Sequence, residues 1–232
     1  MVSNDWERVV KRYFSSIKPA KGPFTLYLRY AEEKAVLSLL GKNTGQRILD
    51  VSSEPRLFLK LEKNGFDISR LDFTETYRDY IHQKTTPKKY YFDKKFINTG
   101  KMKVPEKFDF IFSVGTFNYF PDPKKLMAFM HDKLDAGGSV ICSIKMKAHP
   151  DSLIADRHSR TFSVYDVADL LDGFSIDKVL PVAKDVPKTK GLGNLILQPL
   201  TPAILLNDVV AQTHTLLNRE NAWYYIIKAK KK

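Results

Sequence analysis

Cysteine occurs once in the 232 residues, at Cys142. A lone thiol excludes an internal disulfide and any zinc site built from a cysteine cluster, and it points to a reducing, cytosol-like compartment, so a cytoplasmic location is expected. No apolar run approaches the roughly 20 residues that span a bilayer. Met1 to Glu7 is polar, so no secretory signal is read there. Arginine is missing from the most basic stretch. Residues 84–107 hold eight lysines against Asp93 and Glu106, a net of +6, and four more lysines lie in Lys228–Lys232. These two stretches carry +10 of the formal +12. Planar phosphate recognition favours arginine. The block is therefore read as a solvated lysine-rich face, with an anionic partner such as a nucleic acid as the less favoured reading.

The most consequential absence is local. Ile48 to Val51 reads as a short buried strand, and Pro55 onward as a helix with Leu57, Phe58 and Leu61 on one face. Gly65 to Asp72 gives a second strand that ends in an acid. Strand, tight turn, helix and acid-ended strand make a dinucleotide- or adenosine-binding unit. Glycines in such a turn let the backbone approach a ligand. Here the turn is Ser52-Ser53-Glu54-Pro55-Arg56, with no glycine.

At this length, and with 43% hydrophobic residues, one α/β domain spanning 1–232 is expected. Trp6, Val9, Val10, Tyr13, Phe14 and Ile17 follow helical spacing, and Pro19 to Pro23 breaks that helix. A second helix is read over Tyr30–Leu40, so residues 1–45 are N-terminal helices. A short helix over Glu75–Gln83 follows the second strand. A weak strand falls at Lys89–Phe92 or Lys95–Asn98. Phe108–Ser113 is a clear buried strand. Pro123 opens a helix with Leu126, Met127, Phe129, Met130 and Leu134 inward, ended by Gly137-Gly138. Strands follow at Ser139–Lys145, Ser175–Leu180 and Trp223–Lys228, with a Ser163-capped helix through Leu171. A Pro/Gly-rich loop and a helix at 202–217 make up an insert over 181–221, a candidate lid or homodimer surface. Alternating strands and helices predict a parallel sheet covered on both faces, with ligands outside the carboxyl ends of the strands.

Taken together, these segments resemble a class I S-adenosylmethionine-dependent methyltransferase. Ile48, Leu49, Asp50 and Val51 are similar to that family's first strand, and Asp72 falls where its ribose-binding acid falls. Phe108 to Pro123 resembles the fourth-strand motif and its following loop. Leu134 to Val140 resembles the turn before the fifth strand, with Ala136 in place of proline. Asp156 to Ser163 with Gly173-Phe174, and Trp223 to Lys230, are similar to the last segments. The likeness covers residues 30–230. It implies a doubly wound Rossmann-like α/β sheet, mostly parallel with an antiparallel last strand, and S-adenosylmethionine as cofactor. The departure is the turn, where the family usually has Gly-x-Gly-x-Gly. Glu54 puts a negative charge where the cofactor's carboxylate meets a helix N-terminus, and Arg56 can offset it.

Asp72 is the first candidate, since a strand-end acid can accept from both ribose hydroxyls. Asp50, Ser52, Ser53 and Arg56 are placed at the turn, with Asp50 able to orient its amides. Asn98 is placed near adenine, and Ser113, Val114 and Gly115 beside the methyl-transfer point. Tyr27, Phe117 and Tyr119 are candidate pocket walls. Methyl transfer is an in-line displacement that rests on alignment, and a hydroxyl acceptor also needs a base. His158 is the candidate base, with His149 and Asp151 behind it. No metal site is expected. The resemblance implies methyl transfer to a small-molecule or glycan acceptor. RNA or protein methylation at the lysine-rich face, and a catalytically inactive scaffold, are the alternatives.

Overall fold

The computed structural model describes residues 23–41, 45–145, 160–184 and 222–232. Seven strands form one sheet. They are β1 (Arg47–Val51), β2 (Asp67–Asp72), β3 (Tyr90–Phe92), β4 (Phe108–Ser113), β5 (Leu134–Lys145), β6 (Phe174–Lys184) and β7 (Ala222–Lys231). Their order is β3-β2-β1-β4-β5-β7-β6. The first five are parallel, and β7 runs antiparallel between β5 and β6. This is the predicted sheet with its antiparallel last strand.

Helices α1 (Pro23–Leu40), α2 (Pro55–Lys63), α3 (Glu75–Lys84), α4 (Phe96–Thr99), α5 (Pro123–Lys133) and α6 (Val164–Leu170) cover both faces. Alternation along the strands sets the division. Ile48, Ile68, Phe110 and Phe112 pack with Leu57, Phe58 and Leu61 of α2 and Ile81 of α3. Leu49, Leu71 and Ile111 pack on the other face with Leu126, Met127, Phe129 and Met130 of α5 and Val167 and Leu170 of α6. The β1 residues Ile48 to Val51 are all buried, so the central strand is dry on both sides. That leaves the strand ends as the place where polar side chains gather.

Several boundaries differ from the sequence reading. The second helix begins at Pro23, seven residues before the expected Tyr30, because proline is a good first helical residue as well as a breaker. Gly137 and Gly138 do not end α5. The helix stops at Lys133, and both glycines lie inside β5. A side chain at Gly138 would come within 3.0 Å of the Asp109 carbonyl, where the β4–β5 register shifts between Phe108 and Phe110. Of the two readings for the third strand, Tyr90–Phe92 is the strand, and 96–99 is a helical turn that buries Phe96 and Ile97. The predicted helices over 6–17 and 202–217 lie outside the described residues.

Candidate active site

The turn after β1 is held by its neighbours. Ser52 has φ 52°, in the left-handed region that favours glycine. Its amide donates to the Leu71 carbonyl of β2 at 2.8 Å, and its carbonyl accepts from the Thr116 hydroxyl. The Ser53 amide donates to Asp50 Oδ1 at 2.9 Å, and Ser53 Oγ accepts from the Val114 amide at 2.8 Å. The loops after β1 and β4 are thus tied together. Ser52→Gly is expected to stabilise the fold by about 1 kcal/mol by relieving the left-handed strain. Urea unfolding reads this directly, and a loss of stability would contradict it.

Pro55 opens α2 and Glu54 precedes it as cap, with Arg56 Nε 3.8 Å from Glu54 Oε1. The charge that Glu54 brings to the helix start therefore has a nearby offset.

Behind the turn lies a charged cluster that the sequence reading did not foresee. Arg70 and Asp72 are two residues apart on β2, so strand alternation puts both side chains on the α2–α3 side. Arg70 is wholly buried, as are Asp50 and Asp72. Its Nε donates to Asp72 Oδ2 at 2.6 Å and its Nη2 to Asp72 Oδ1 at 3.0 Å. Nη1 bonds Asp50 Oδ2, and Nη2 also reaches the Ser53 carbonyl at 2.8 Å. The Tyr90 hydroxyl donates to Asp72 Oδ2 at 2.6 Å. The guanidinium carbon lies over the rings of Phe58 (5.4 Å) and Tyr77 (5.7 Å), two cation–π contacts.

One cation thus serves two acids. Burial pushes the Asp50 carboxyl up to about 6 against the pull of Arg70. Burial also works against the Arg70 charge, but the two carboxylates more than reverse this and hold it protonated. Burial first, and then the Asp72 charge, raises the Tyr90 phenol, which stays a donor.

Across β4, Ser113 is fully buried and Gly115 has φ 79°. A Cβ at Gly115 would meet no atom within 4 Å, so it is the turn that demands glycine there, not a close neighbour. The Gly115 amide donates to Ser143 Oγ at 2.8 Å. Asn118 clamps this loop to β5: its Nδ2 donates to the Ser143 carbonyl at 3.2 Å and its Oδ1 accepts from the Lys145 amide at 2.9 Å. Asn118→Ala should destabilise by about 2 kcal/mol by orphaning two buried backbone groups. An unchanged melting temperature would contradict this. Arg160 and Phe162 dock on the same region, the Arg160 amide on the Asn118 carbonyl (2.7 Å) and the Phe162 amide on the Lys145 carbonyl (2.8 Å). Lys145, nearly buried at the end of β5, holds its ammonium 5.3 Å from the centre of the Tyr119 ring.

Among the predicted residues, Asp50, Ser52, Ser53, Asp72, Ser113, Val114 and Gly115 come together at the carboxyl ends of β1, β2 and β4. Arg56 lies in the first turn of α2. Asn98 does not join them: it is exposed on α4, because 96–99 is helical and presents Phe96 and Ile97 inward. Phe117 is core, 6.0 Å from the Phe162 ring, while Tyr119 is half-buried beside Lys145. His149, Asp151 and His158 lie outside the described residues, as does the side chain of Tyr27. Arg70, Tyr90 and Asn118 were missed. The signal for Arg70 was its place two residues before a strand-end acid. Asn118 bonds to residues 25 and 27 positions away, which local spacing cannot reveal.

The sheet order and the strand-end cluster define a Rossmann-like methyltransferase fold. The chain belongs to the methyltransferase-domain family, whose model matches residues 24–171. That membership makes methyl transfer its class of activity. Among solved structures, it is similar to 1,6-didemethyltoxoflavin-N1-methyltransferase of Burkholderia thailandensis, seen with 1,6-didemethyltoxoflavin and S-adenosylhomocysteine bound. The two share 16% identity at TM-score 0.60, over 100% of this chain and 91% of that one. An S-adenosylmethionine-dependent methyltransferase of Mesorhizobium loti shares 17% identity at TM-score 0.57, over 87% and 98%. A TehB-like methyltransferase of Corynebacterium glutamicum shares 15% identity at TM-score 0.58, over 99% and 98%. No curated protein sequence matches the chain.

Two places decide how well S-adenosylmethionine fits this site. Ser52 Oγ and Ser113 Oγ are buried with no hydrogen-bond partner among the described residues. They sit at the ends of adjacent strands, where a polar ligand would satisfy them. Asp72 does not fit a two-hydroxyl contact as held, since its Oδ2 already accepts from both Arg70 and Tyr90 and its Oδ1 from Arg70.

Proposed function

We propose that the chain transfers a methyl group from S-adenosylmethionine to a hydroxyl of a small-molecule or glycan acceptor. The observation that carries the reading is the pair of orphaned hydroxyls, Ser52 Oγ and Ser113 Oγ, at the ends of β1 and β4 in a chain of this family. When bound, the cofactor supplies an electrophilic methyl on a sulfonium. The chain's own part is alignment. Asp50, Ser52 and Ser53 shape the turn, with Arg56 offsetting Glu54. Ser113, Val114 and Gly115 form the wall after β4, and Asp72 is the acid for the ribose hydroxyls. His158 takes the acceptor proton, with His149 and Asp151 as the other candidates for that role.

The acceptor class is argued from charge. In the lysine-rich stretch, Lys89 pairs with Glu106 at 2.8 Å, Lys94 with Glu75 at 2.7 Å and Lys107 with Asp132 at 3.6 Å. Lysines with acidic neighbours make a mixed surface, which favours a small acceptor over RNA. Cys142 is buried, its thiol pushed up to about 12 by burial, in keeping with a reducing, cytoplasmic setting. Among the described residues no helix is long and apolar enough to cross a membrane. Of the insert expected over 181–221, residues 181–184 are the end of β6, and the remainder is proposed as a lid or homodimer surface.

A second reading, a scaffold without catalysis, is favoured by the occupied Asp72. The test is release of S-adenosylhomocysteine from S-adenosylmethionine in the presence of pooled hydroxylated small molecules, glycans, RNA or protein. Acceptor-dependent release with the first two pools supports the reading. Release with RNA or protein alone would overturn the acceptor class, and no release with any pool would favour the scaffold.

A further inference from the structure

We propose that Arg70 gates the ribose subsite: its guanidinium bridges both oxygens of Asp72, and adenosine binds well only when that contact opens. The inference rests on the methyl-transfer reading, because the ribose is that cofactor's.

The contact is built rather than incidental. Four donations run from one guanidinium to Asp72 Oδ1, Asp72 Oδ2, Asp50 Oδ2 and the Ser53 carbonyl. Two rings lie within cation–π distance of it, Phe58 from α2 and Tyr77 from α3. A fork with five N–H groups matches two carboxylates and a carbonyl better than any other side chain. Tyr90 completes the shell on Asp72.

A ribose diol that bonds both oxygens of Asp72 needs a position on Oδ2, where Arg70 and Tyr90 already donate. It would replace bonds in which both partners are charged with bonds in which only the carboxylate is, and it would part the buried Arg70 charge from one of its two acids. The same guanidinium holds the Ser53 carbonyl and Asp50, so the turn after β1 and the acid of β2 are coupled through one side chain. Freeing Asp72 therefore also loosens the glycine-free turn, which a ligand must approach. A site of this design binds adenosine weakly until Arg70 moves.

The experiment is isothermal titration calorimetry with S-adenosylhomocysteine. It compares wild type, Arg70→Met and the double variant Asp50→Asn/Arg70→Met, each with and without Asp72→Ala. The double variant removes one of the two acids that Arg70 neutralises, which protects the fold. Circular dichroism checks that each protein is folded. The expected result is at least tenfold tighter binding by the folded Arg70 variants than by wild type. Asp72→Ala should abolish that gain while changing wild-type affinity little. Wild-type binding as tight as that of the double variant, wild-type binding abolished by Asp72→Ala, or a gain that survives Asp72→Ala would each overturn the gate and leave the methyl-transfer reading standing. No binding by any folded protein at millimolar ligand would overturn both.

Discussion

Arg70→Met lowers the unfolding free energy by about 3–5 kcal/mol, the range for removing one partner from a buried ion cluster. Methionine keeps the apolar stem but ends where arginine's Nε stands, and it leaves Asp50 and Asp72 buried without their counter-charge. For a domain of this size the expected fall in melting temperature is roughly 6–20 °C. The cause can be separated from packing. Adding Asp50→Asn and Asp72→Asn, which keep the shape of the acids, removes all three charges, and most of the loss should return, because neutral replacement of a buried ion cluster is often nearly free. Urea unfolding of the single and triple variants measures both steps. A single variant within about 1 kcal/mol of wild type would show that the two acids do not depend on Arg70. A triple variant as unstable as the single one would assign the loss to packing.

Asp50 gives the second large effect, through pH. Its carboxyl is raised from the ordinary 3.8 to about 6, chiefly by burial. The native state therefore keeps a proton between those values that the unfolded chain gives up. The stability tied to this group is fully present below about pH 4 and is lost as pH rises through 6. A carboxyl raised that far links protonation to about 3 kcal/mol of stability. Asp50→Asn removes the titration, so wild type should lose about 3 kcal/mol relative to the variant between about pH 4 and 7. Surface carboxylates held low by lysines, such as Glu75 beside Lys94 and Glu106 beside Lys89, contribute the opposite trend, but equally in both proteins. Urea unfolding of the pair at four pH values isolates the difference. A gap that stays constant across that range would contradict the assignment.

The elements that carry the fold were legible because their apolar periods are strong. Leu126, Met127, Phe129 and Met130 announce a helix face, and the run from Ile48 to Val51 announces a central strand; all are buried as expected. Three-residue β3 was ambiguous because so short a strand carries no period, and the apolar pair Phe96 and Ile97 suits a strand or a helical turn equally. Gly137 and Gly138 looked like a helix stop because glycine marks chain ends and close approaches alike. Only the neighbouring Asp109 carbonyl tells which is meant. The gathering of Asp50, Ser52, Ser53, Asp72 and Ser113 followed from topology, since parallel strands bring their carboxyl ends together. The state of Asp72 did not follow. Arg70 reads as an ordinary strand residue until its neighbours Phe58, Tyr77 and Asp50 are known. Those lie on other elements.

The measurement that tests most directly whether the strand-end site takes an adenosine cofactor through Asp72 is a crystal structure of the protein soaked in millimolar S-adenosylhomocysteine. The expected density places the adenosine at the ends of β1, β2 and β4, both ribose hydroxyls on Asp72 and the Arg70 guanidinium turned away from that carboxylate. A bound S-adenosylhomocysteine whose ribose is held by other groups, with Arg70 still on Asp50 and Asp72, would contradict it.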